Sequence, residues 1–502
     1  MWAIKQIHKS DKVSFLRDAR DYSLLNGAVL RYDSMSNDNC VAHIPLTAFP
    51  SPMPDKLYRE CLDLQPIINK LMMFIANDPD FMNEILGPIS EVDKFTQNLL
   101  AIENTIRREG RAQPIMSCIS RADYMLHKMS TNEKMSPRDL AVRQVEVNAI
   151  ASGMSAHSRN IKNTQELLMS KYSIFKQDNT IFPTNDSLDL VVDGLIDAFD
   201  SYGKSSAQIL LVAEPRSTNF SDQILIEIAV HRRRRDIRFV RRRFDKLPSI
   251  MRLGPNKELL LEESKEIAVV YFRIGYDPSQ YTFENAWETR LLLERSRAIK
   301  CPSINFHLSG AKKFQQVLNS REQLERFLDT DEASKLEKVF CKIWSIESEL
   351  SEGYKLAMAT TDSNKLVLKP QREGGGHNIF AQNIKPFVEQ LTNARERSQY
   401  ILMEYIDGPR EQNLLLLYDD QPEHDSVRMD ACDQLISELG IFGSILADNN
   451  STILSNRAAG YLVRSKRFGV NEGGVAAGYS SISNLILLQD DDADLTEYFV
   501  QE

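Results

Sequence analysis

The sequence lacks three features that would mark a membrane protein, a secreted protein or a zinc-binding protein. No stretch approaches the ~18 consecutive apolar residues that a membrane-spanning helix requires. The segment from Met1 to Lys9 has no apolar core of the kind found in signal peptides, so we expect a soluble protein that is not secreted. The cysteines form no Cys-x-x-Cys pair, which predicts reduced thiols in the cytosol rather than a zinc site or a disulfide framework: Cys40, Cys61, Cys118, Cys301, Cys341 and Cys432.

A net positive charge is also lacking. The formal net charge is −9 at pH 7, which argues against general affinity for nucleic acid or anionic membranes. The exception is the segment 231–243, in which eight of thirteen residues are arginine and which could bind RNA or another polyanion. Its apolar residues Ile237, Phe239 and Val240 favour instead a core strand surrounded by solvated arginines.

A P-loop is missing too, although another segment indicates nucleotide binding. Gly203-Lys204-Ser205 has Ala198 where a P-loop needs its first glycine. The apolar run 366–368, by contrast, leads into Lys369-Pro370-Gln371-Arg372-Glu373-Gly374-Gly375-Gly376. The lysine can meet a phosphate, Glu373 offers oxygen to a hard cation, and the glycines let the backbone approach an anion. A surface turn is the alternative, but the Lys-x-x-x-Glu spacing favours a nucleotide site.

Length and periodicity predict two or three globular domains of mixed type. The chain has 502 residues, of which 42% are hydrophobic and 26% charged. The first 130 residues predict mainly helices, over 66–76 and 92–109, with a break at 77–80. Alternation begins at Val142, and a β-α-β unit is predicted to run from a strand at 208–213 to a second strand at 237–240.

The remaining elements follow from the same patterns. Strands are predicted at 267–272 and 400–406, and helices at 286–298, 329–344 and 384–394. The acidic segment 489–497 predicts disorder.

Several charged or polar side chains are placed together by strand geometry. Glu146 and Asn148 are two residues apart in a predicted strand and therefore share a face, where their oxygens suit Mg²⁺; an exposed strand face is the alternative. Arg464 and Lys466 share a face in the same way, with a solvated basic surface as the alternative. Arg273 follows a predicted apolar strand directly, at the edge where ligands gather in open parallel sheets.

The segment 366–378 strongly resembles the glycine-rich loop of the eukaryotic glutathione synthetases, which belong to the ATP-grasp superfamily. The resemblance extends from about Leu16 to about Ser483, and further matching segments follow in the family's order: Arg121-Ala122-Asp123-Tyr124-Met125, Val145-Glu146-Val147-Asn148, Ala268-Val269-Val270-Tyr271-Phe272-Arg273, Ile436-Ser437-Glu438-Leu439-Gly440-Ile441-Phe442-Gly443 and Gly473-Gly474-Val475-Ala476-Ala477-Gly478. It implies an α/β fold of ATP-grasp type with an inserted parallel-sheet substrate domain and a mobile glycine-rich lid.

The resemblance and the patterns together predict the following division of the chain. The catalytic body, of helical and antiparallel parts, is expected in several pieces around a substrate-binding domain and a lid: body 1–203, parallel-sheet substrate-binding domain 204–310, helical part of the body 311–364, lid 365–410, last part of the body with a substrate loop 411–488, and acidic tail 489–502.

Matched residue by residue, the resemblance implies three groups of site residues. Magnesium is expected at Glu146, Asn148 and Glu373, and catalysis at Lys312, Lys369 and Arg464. ATP is expected at Glu146, Lys312, Lys369, Gly374, Gly375, Gly376, Asn378, Phe380, Met403, Glu404, Ile406, Glu438, Lys466 and Glu472. The γ-glutamyl dipeptide is expected at Arg121, Ala151, Ser152, Gly153, Ser217, Thr218, Asn219, Gln223, Arg273, Tyr276, Arg464, Val475 and Ala476.

The chain departs from the family pattern at the γ-glutamyl end. Ala151-Ser152-Gly153 stands where the family shows a serine pattern, and Ser217 stands where an acidic residue is common. Phe380 in place of tyrosine and His377 in place of asparagine are milder changes near the nucleotide. If the contacts are made by backbone groups, binding survives; if they are made by side chains, affinity or specificity shifts.

The resemblance implies ATP-dependent ligation of γ-L-glutamyl-L-cysteine to glycine through an acyl phosphate, by a cytoplasmic homodimer. The nearest alternative is a paralogous ligase with a changed acceptor or donor. A third possibility, of another class, is a weakly catalytic relative that binds polyanions through the arginines of segment 231–243.

Overall fold

The computed structural model describes residues 11–32, 37, 39–130, 135–174, 182–262, 264–361, 366–371, 378–418, 427–470, 473–489 and 494–500. Within these ranges none of the helices is both long and apolar enough to cross a lipid bilayer. The α-helices are, in chain order, α1 (Lys12–Leu25), α2 (Asp55–Asn77), α3 (Pro79–Ser90), α4 (Lys94–Glu109), α5 (Ser155–Lys171), α6 (Ser187–Tyr202), α7 (Phe220–Arg233), α8 (Leu247–Ile250), α9 (Ala286–Arg295), α10 (Ile304–Ser309), α11 (Lys312–Val317), α12 (Arg321–Leu324), α13 (Thr330–Val339), α14 (Glu352–Met358), α15 (Ile384–Val388) and α16 (Ala394–Arg397).

The strands occur both between these helices and in uninterrupted runs, the longest of them at the end of the chain. In chain order they are β1 (Val29–Leu30), β2 (Ala42–His43), β3 (Leu46–Thr47), β4 (Ser51–Pro54), β5 (Ile115–Lys128), β6 (Leu140–Asn148), β7 (Gln208–Ala213), β8 (Arg238–Arg243), β9 (Met251–Leu253), β10 (Leu259–Leu261), β11 (Lys265–Phe272), β12 (Ile299–Cys301), β13 (Ile343–Ser345), β14 (Leu366–Pro370), β15 (Ile379–Phe380), β16 (Tyr400–Glu404), β17 (Arg410–Tyr418), β18 (Val427–Asp448), β19 (Ile453–Arg467), β20 (Ser481–Ser483), β21 (Leu485–Leu488) and β22 (Phe499–Val500).

The largest of the described sheets has eight strands in the order β22-β17-β3-β20-β19-β18-β5-β6. Its centre is antiparallel: β18 pairs with β19 on one side and with β5 on the other, and β5 pairs with β6. The register sets Glu438 opposite Arg464 and Asp123 opposite Gly440. Charged side chains from four adjacent strands are thereby brought to one region of this central sheet.

A second sheet, of six strands, has a parallel core. Strands β8, β7, β11 and β12 run parallel, and β10 and β9 extend the sheet in the antiparallel sense. Helix α7 connects β7 to β8, so the predicted β-α-β unit is confirmed. Arg273 lies directly after β11, at the carboxyl edge of this sheet.

A third sheet, of four antiparallel strands, has the order β13-β16-β14-β15. Strand β14 carries Lys369 and pairs with β16 so that Val367 lies opposite Met403. Apolar residues cover both faces: Val367, Ile401 and Met403 belong to one buried cluster, and Leu368 and Leu402 to another.

Helix α6 packs between the central sheet and the parallel sheet. Its residues Val191, Val192 and Leu195 share one apolar cluster with Leu446 of β18 and Ile209 of β7. All five side chains are less than 5% exposed. The two sheets therefore have one continuous core.

The helical region after residue 55 is interrupted between α2 and α3, as the sequence predicts. The Asp78 side chain accepts a hydrogen bond of 2.9 Å from the backbone N–H of Phe81, and Pro79 begins α3. Asp93 caps α4 by accepting from the backbone N–H of Thr96 at 2.9 Å. The helices at 66–76 and 92–109 are confirmed, the first as part of the longer α2.

Three element predictions are wrong. The first 130 residues are not mainly helical to their end, because Ile115–Lys128 forms the long strand β5. The predicted helix 329–344 ends at Val339, and the following Ile343–Ser345 pairs with β16 as a strand. The helix predicted over 384–394 ends at Val388.

The prediction of disorder for 489–497 is wrong for the described part of this segment. Leu495 and Phe499 are 0% and 4% exposed and pack with Leu140 and Leu488 in a small apolar cluster. Strand β22 pairs with β17 through Arg410. Leu495 and Phe499, which follow the last aspartate, therefore pack this segment against the central sheet.

Candidate active site

A cavity of about 900 Å³ lies between the central sheet and the four-stranded sheet. One part of its wall is apolar, formed by side chains such as Val367, Met403 and Ile406. The other part carries charges of both signs. A volume of this size accommodates a ligand of several hundred daltons, and the division suits a molecule with a flat base at one end and anionic groups at the other.

Thirteen of the predicted site residues line this cavity. They come from β6, β14, β16, β18 and β19 and from the segments between these strands, and they are Glu146, Asn148, Tyr276, Lys312, Lys369, Asn378, Phe380, Met403, Glu404, Ile406, Glu438, Arg464 and Lys466. Met403 is 1% exposed and also belongs to the apolar cluster beneath the cavity, so it packs in the core and faces the cavity at once.

Five of the predicted residues lie outside the described ranges: Glu373, Gly374, Gly375, Gly376 and Glu472. The changed residue His377 lies outside them too.

The charged wall is organised around Glu146. Its carboxylate lies 3.2 Å from the ammonium of Lys312, which begins α11. Burial alone would raise the pKa of Glu146, but the charges of Lys312, Lys369 and Arg464 outweigh it and lower that pKa to about 2. Glu146 is therefore a carboxylate at any pH near neutrality, available to a cation or a hydrogen-bond donor.

Lys369 lies deeper than Lys312. It is 9% exposed, and burial lowers the pKa of its ammonium; Glu146 opposes this shift and Lys312 reinforces it. A buried ammonium without an anionic ligand beside it costs free energy, and a bound phosphate would remove much of that cost.

Asp123 connects the charged groups of the cavity. Its carboxylate accepts from Arg121 at 2.6 and 2.8 Å, from Asn148 Nδ2 at 2.8 Å and from Arg464 Nη2 at 3.0 Å. Arg464 also donates to Glu438. Burial alone would lower the pKa of Arg464, but Glu438, Asp123 and Glu146 raise it.

Asp123 is not among the predicted site residues. The available signal is the two-residue spacing of Arg121 and Asp123 in a strand, which places both side chains on one face.

A second group of predicted residues adjoins the cavity but does not line it. The residues of this second group are Arg121, Ala151, Ser152, Gly153, Ser217, Thr218, Asn219, Gln223, Arg273, Val475 and Ala476. Arg121 donates to the carbonyl of Gly153 at 3.4 Å and also to Asp123, which accepts from Asn148 and Arg464 in the cavity wall. Arg273 donates to Asp222 at 2.8 Å, and both side chains are less than 5% exposed.

Asp222 fixes the loop that precedes α5. Its two carboxylate oxygens accept from the backbone N–H groups of Met154 at 3.1 Å and Ala156 at 2.9 Å. Within this loop Ala151 and Met154 have φ of 53° and 75°, a left-handed conformation that side chains disfavour. The loop is therefore held in an unusual shape by the same carboxylate that positions Arg273.

The departures from the family pattern have local structural correlates. A Cβ atom at Gly153 would lie 2.8 Å from Nη2 of Arg273, so the observed position of this guanidinium requires glycine. Ser217 Oγ accepts a hydrogen bond from Gln223 at 3.0 Å and so positions that amide. Ser152 Oγ donates to the backbone carbonyl of Asn148 at 3.0 Å.

The other members of this second group are held by hydrogen bonds or by the apolar core. Asn219 Oδ1 lies 2.8 Å from Nε2 of His157, and the carbonyl of Thr218 accepts from the N–H of Arg31 at 3.1 Å. Val475 is 3% exposed and packs in an apolar cluster beside the sheet, whereas Ala476 is partly exposed.

The residues present fit a magnesium ion in part. In the described portion of the chain no three His, Cys, Asp or Glu side chains converge on a possible metal position. Glu146 and Asn148 supply a carboxylate and an amide to the cavity wall, with Asn148 Nδ2 3.4 Å from Glu146 Oε1. Mg²⁺ commonly takes one or two protein carboxylates and completes its octahedron with phosphate oxygens and water, so this pair could supply the protein's share of the ligands in part.

Comparison with known proteins gives a consistent result. The sequence profile described as "Eukaryotic glutathione synthase, ATP binding domain" matches residues 9–487. The glutathione synthetase of Mus musculus is 33% identical over 471 residues, which are 93% of this chain and 95% of the mouse protein. The chloroplastic glutathione synthetase of Solanum lycopersicum is 32% identical over 454 residues, covering 89% of this chain and 78% of the tomato protein.

A solved structure with a similar fold is that of a glutathione synthetase-like effector from Globodera pallida in its apo form. It superimposes with a TM-score of 0.72 over 96% of this chain and 98% of the effector, at 22% sequence identity. At that identity the likeness concerns the fold alone.

Proposed function

The chain belongs to the eukaryotic glutathione synthase family, and we propose on that basis that it is an ATP-dependent ligase that joins γ-L-glutamyl-L-cysteine to glycine, releasing ADP and phosphate. The observation that carries this proposal is the meeting of Glu146, Lys312, Lys369 and Arg464 at the charged end of a cavity whose other end is apolar. This combination suits a nucleotide whose base and phosphates need opposite surroundings.

The nucleotide is proposed to lie with its base between the apolar side chains of β14 and β16. Val367 and Met403 would contact the base, and Glu404 and the backbone of β16 would read its edge. Lys312 and Lys369 would hold the phosphates. Glu146 forms an ion pair with Lys312 and opposes the fall in the pKa of Lys369, so its negative charge acts on both ammonium groups.

The carboxylate of the cysteinyl residue is proposed to attack the γ-phosphate, and glycine's amine then displaces phosphate from the acyl phosphate. Lys312 and Lys369 would stabilise the charge that spreads over the phosphoryl oxygens. Arg464 is oriented toward the reacting carboxylate by its contacts with Asp123 and Glu438. No side chain needs to act as a covalent nucleophile.

Magnesium is proposed at Glu146 and Asn148, with Glu373 as a third ligand from the glycine-rich segment. When bound, the ion would neutralise phosphate charge during transfer. Within the protein, Asn148 is held for this role by its hydrogen bond to Asp123.

The γ-glutamyl end is proposed to bind near Arg273, Asn219 and Gln223. Arg273 keeps two N–H-bearing nitrogens, Nε and Nη1, that are buried and make no hydrogen bond of standard geometry in the described residues. A substrate carboxylate is the natural acceptor for such a fork. Glycine at 153 and serine at 217 motivate the second candidate, a ligase of the same fold with changed donor or acceptor specificity.

The domain division stated above, cytosolic location and a homodimer are further parts of the proposal. The six cysteines form no disulfide with one another in the described residues, which supports a reducing compartment. Analytical ultracentrifugation of the purified chain would measure the oligomeric state.

The experiment that tests the function measures phosphate release from Mg²⁺-ATP with γ-glutamylcysteine, with and without glycine, together with mass spectrometry of the product. We expect glycine-dependent release and a product with the mass of glutathione. Alanine, serine and β-alanine as acceptors separate the leading proposal from changed specificity. Absence of any nucleotide turnover with all of these amines would contradict a ligase.

Two neighbouring lysines provide a matched pair of variants. Lys312→Ala should lower turnover by at least ~10²-fold, because Lys312 faces the cavity and pairs with Glu146. Lys313→Ala removes the adjacent charge, which pairs with Glu347 and does not line the cavity, and should leave turnover close to that of the parent. Lys369→Ala is expected to behave like Lys312→Ala. Equal effects of Lys312→Ala and Lys313→Ala would remove the phosphate-site assignment.

A further inference from the structure

We propose that Asp123 is a positioning residue that holds the dipeptide site, the magnesium site and the reacting-carboxylate site in one fixed arrangement. The inference rests on the proposed function for the identity of these three sites. The claim that these three sites are coupled rests on the hydrogen bonds around one buried carboxylate.

Asp123 is fully buried, and its oxygens accept four N–H groups from three side chains. Arg121 donates through Nε and Nη2, Asn148 through Nδ2 and Arg464 through Nη2. The three donors belong to β5, β6 and β19, which are not all neighbours in the sheet. One side chain therefore sets the relative positions of groups on three strands.

The contact with Asn148 fixes which atom of that amide is available to a cation. A carboxylate only accepts hydrogen bonds, so it takes the NH₂ side of the amide. Asn148 Nδ2 also lies near Glu146, at 3.4 Å from Oε1. The carbonyl oxygen of Asn148 is left for other partners, and a hard cation prefers that atom.

The contacts with the two arginines divide their hydrogen-bonding capacity in a similar way. Arg121 uses Nε and Nη2 on Asp123 and keeps Nη1 for the Gly153 carbonyl, on the side of the predicted dipeptide site. Arg464 contacts Asp123 and Glu438 through Nη2 and the Gly473 carbonyl through Nη1 at 3.5 Å. Each guanidinium is thus oriented by Asp123 and presents its remaining edge to a different part of the site.

Space for this arrangement depends on Gly440, which lies opposite Asp123 in the register of β18 and β5. A Cβ atom at Gly440 would lie 2.5 Å from Asp123 Oδ1 and 2.6 Å from Arg121 Cδ. Such contacts would displace the carboxylate without removing its charge. Substitutions at Asp123 and at Gly440 therefore disturb the same carboxylate in two independent ways. The first removes its charge, and the second displaces it.

A purely structural ion pair is the competing explanation, and Arg290 with Glu294 provides the comparison. This pair is 0% exposed on both sides, lies 2.9 Å apart and does not line the cavity. A structural role for Asp123 predicts that Asp123→Asn and Glu294→Gln lower the unfolding temperature and leave ligand affinities alone. A positioning role predicts a loss of affinity in Asp123→Asn only.

The experiment compares full-length wild type with Asp123→Asn, Gly440→Ala and Glu294→Gln. Calorimetry measures binding of γ-glutamylcysteine alone, and the Mg²⁺ concentration that gives half-maximal binding of a non-hydrolysable ATP analogue. In Asp123→Asn and Gly440→Ala we expect roughly 10- to 100-fold weaker dipeptide binding and a similar rise in the required Mg²⁺ concentration. Glu294→Gln should match wild type in both.

A double-mutant cycle with Asn148→Ala isolates the route to the metal. If Asp123 acts on Mg²⁺ binding through Asn148, then adding Asp123→Asn to Asn148→Ala causes no further rise in the required Mg²⁺ concentration. Additive rises, or wild-type binding in a folded Asp123→Asn protein, would overturn the proposal. If Asp123→Asn does not fold, Gly440→Ala decides, and wild-type binding in that variant overturns it equally.

These binding measurements do not depend on turnover. Failure of the wild-type protein to form glutathione would count against the proposed function alone. Loss of coupled binding in Asp123→Asn would still support the positioning role in a ligase of different specificity.

Discussion

Two carboxyl groups of the central sheet, the partly exposed Glu146 and the buried Glu411, lie in opposite electrostatic surroundings. Glu146 is flanked by cations, which lower its pKa to about 2. Glu411 is 4% exposed, and burial raises its pKa to about 7, although hydrogen bonds from Ser437 and Ser51 act in the other direction. Glu411 has no cation among these partners, and it lines a small cavity of about 30 Å³ with both serines.

The raised pKa of Glu411 predicts how stability depends on pH. The folded state holds this proton more tightly than the unfolded state, so the contribution of Glu411 is fully present below about pH 4.5. It is lost as pH rises toward about 7 and is absent above that. Glu411→Gln removes the titration and should raise the free energy of unfolding at pH 8 by about 3 kcal/mol relative to wild type.

Urea unfolding of wild type and Glu411→Gln at pH 5, 6, 7 and 8 measures this effect. The difference between the two proteins should increase with pH and level off near pH 8. Parallel pH profiles would show that Glu411 does not titrate in this range in the folded protein.

At the residue scale, strand spacing and the family resemblance predict which side chains lie in the site, but not which of them contact one another. The two-residue spacing predicts that Glu146 and Asn148 share a face, and the structure places both in the cavity wall. Asp123 has the same spacing from Arg121, but nothing in the sequence shows that Arg464 comes within 3.0 Å of it. That contact joins residues 341 positions apart and depends on the pairing of β5, β18 and β19.

At the scale of elements, a helix in the four-stranded sheet region depends on a glycine. A Cβ atom at Gly353 of α14 would lie 2.6 Å from Cβ of Trp344 and closer still to the carbonyl oxygen of Ser345, both in β13. Backbone atoms cannot move aside as a flexible side chain can. The close packing of α14 on β13 therefore requires glycine at this position.

Gly353→Ala is expected to lower the free energy of unfolding by roughly 1–3 kcal/mol and to weaken nucleotide binding, because the same sheet carries Lys369 and Met403. Thermal unfolding and titration with an ATP analogue measure the two effects.

Gly87→Ala is the matched control for this substitution. Gly87 lies within α3 and has no heavy atom within 4 Å of an added Cβ. This variant should be as stable as wild type or more stable, since alanine favours helix. A Gly353→Ala protein with wild-type stability and nucleotide affinity would contradict the packing argument.

Element prediction succeeds for a short buried strand with clear boundaries and fails for a long buried strand without alternation. Strand β7 is predicted at its observed limits because a short apolar run bounded by polar residues favours a parallel strand. Strand β5 is buried along most of its length, so its sequence shows no alternation and resembles the helical region before it. The single helix predicted over 384–394 is observed as two short helices, α15 and α16, because the chain turns between Val388 and Ala394.

At the scale of the whole molecule, the arginine-rich segment 231–243 is largely neutralised by the surrounding surface. Five of its arginines pair with carboxylates: Arg233 with Asp189 and Asp193, Arg234 with Asp200 and Asp236, Arg241 with Glu227, Arg242 with Glu262, and Arg243 with Asp245. Exposed pairs of this kind add little stability, but they reduce the positive potential that a polyanion would need.

We therefore expect no mobility shift with RNA at physiological salt. Any complex formed at low salt should dissociate as salt is added, because the net charge of −9 opposes association. A shift that persists at physiological salt, and disappears when Arg241, Arg242 and Arg243 are replaced by glutamine, would instead establish a polyanion site.

The shared core beneath α6 determines how the molecule can open without unfolding. Because the central and parallel sheets bury one cluster in common, neither can separate without exposing the apolar residues of the other. The buried residues of the two clusters on the four-stranded sheet all lie within positions 341 to 406. Backbone amides of β14 and β16 should therefore exchange with deuterium through a partial opening, at lower free energy than those of β7 and β18. A nucleotide would enter and leave through that opening while the rest of the protein stays intact.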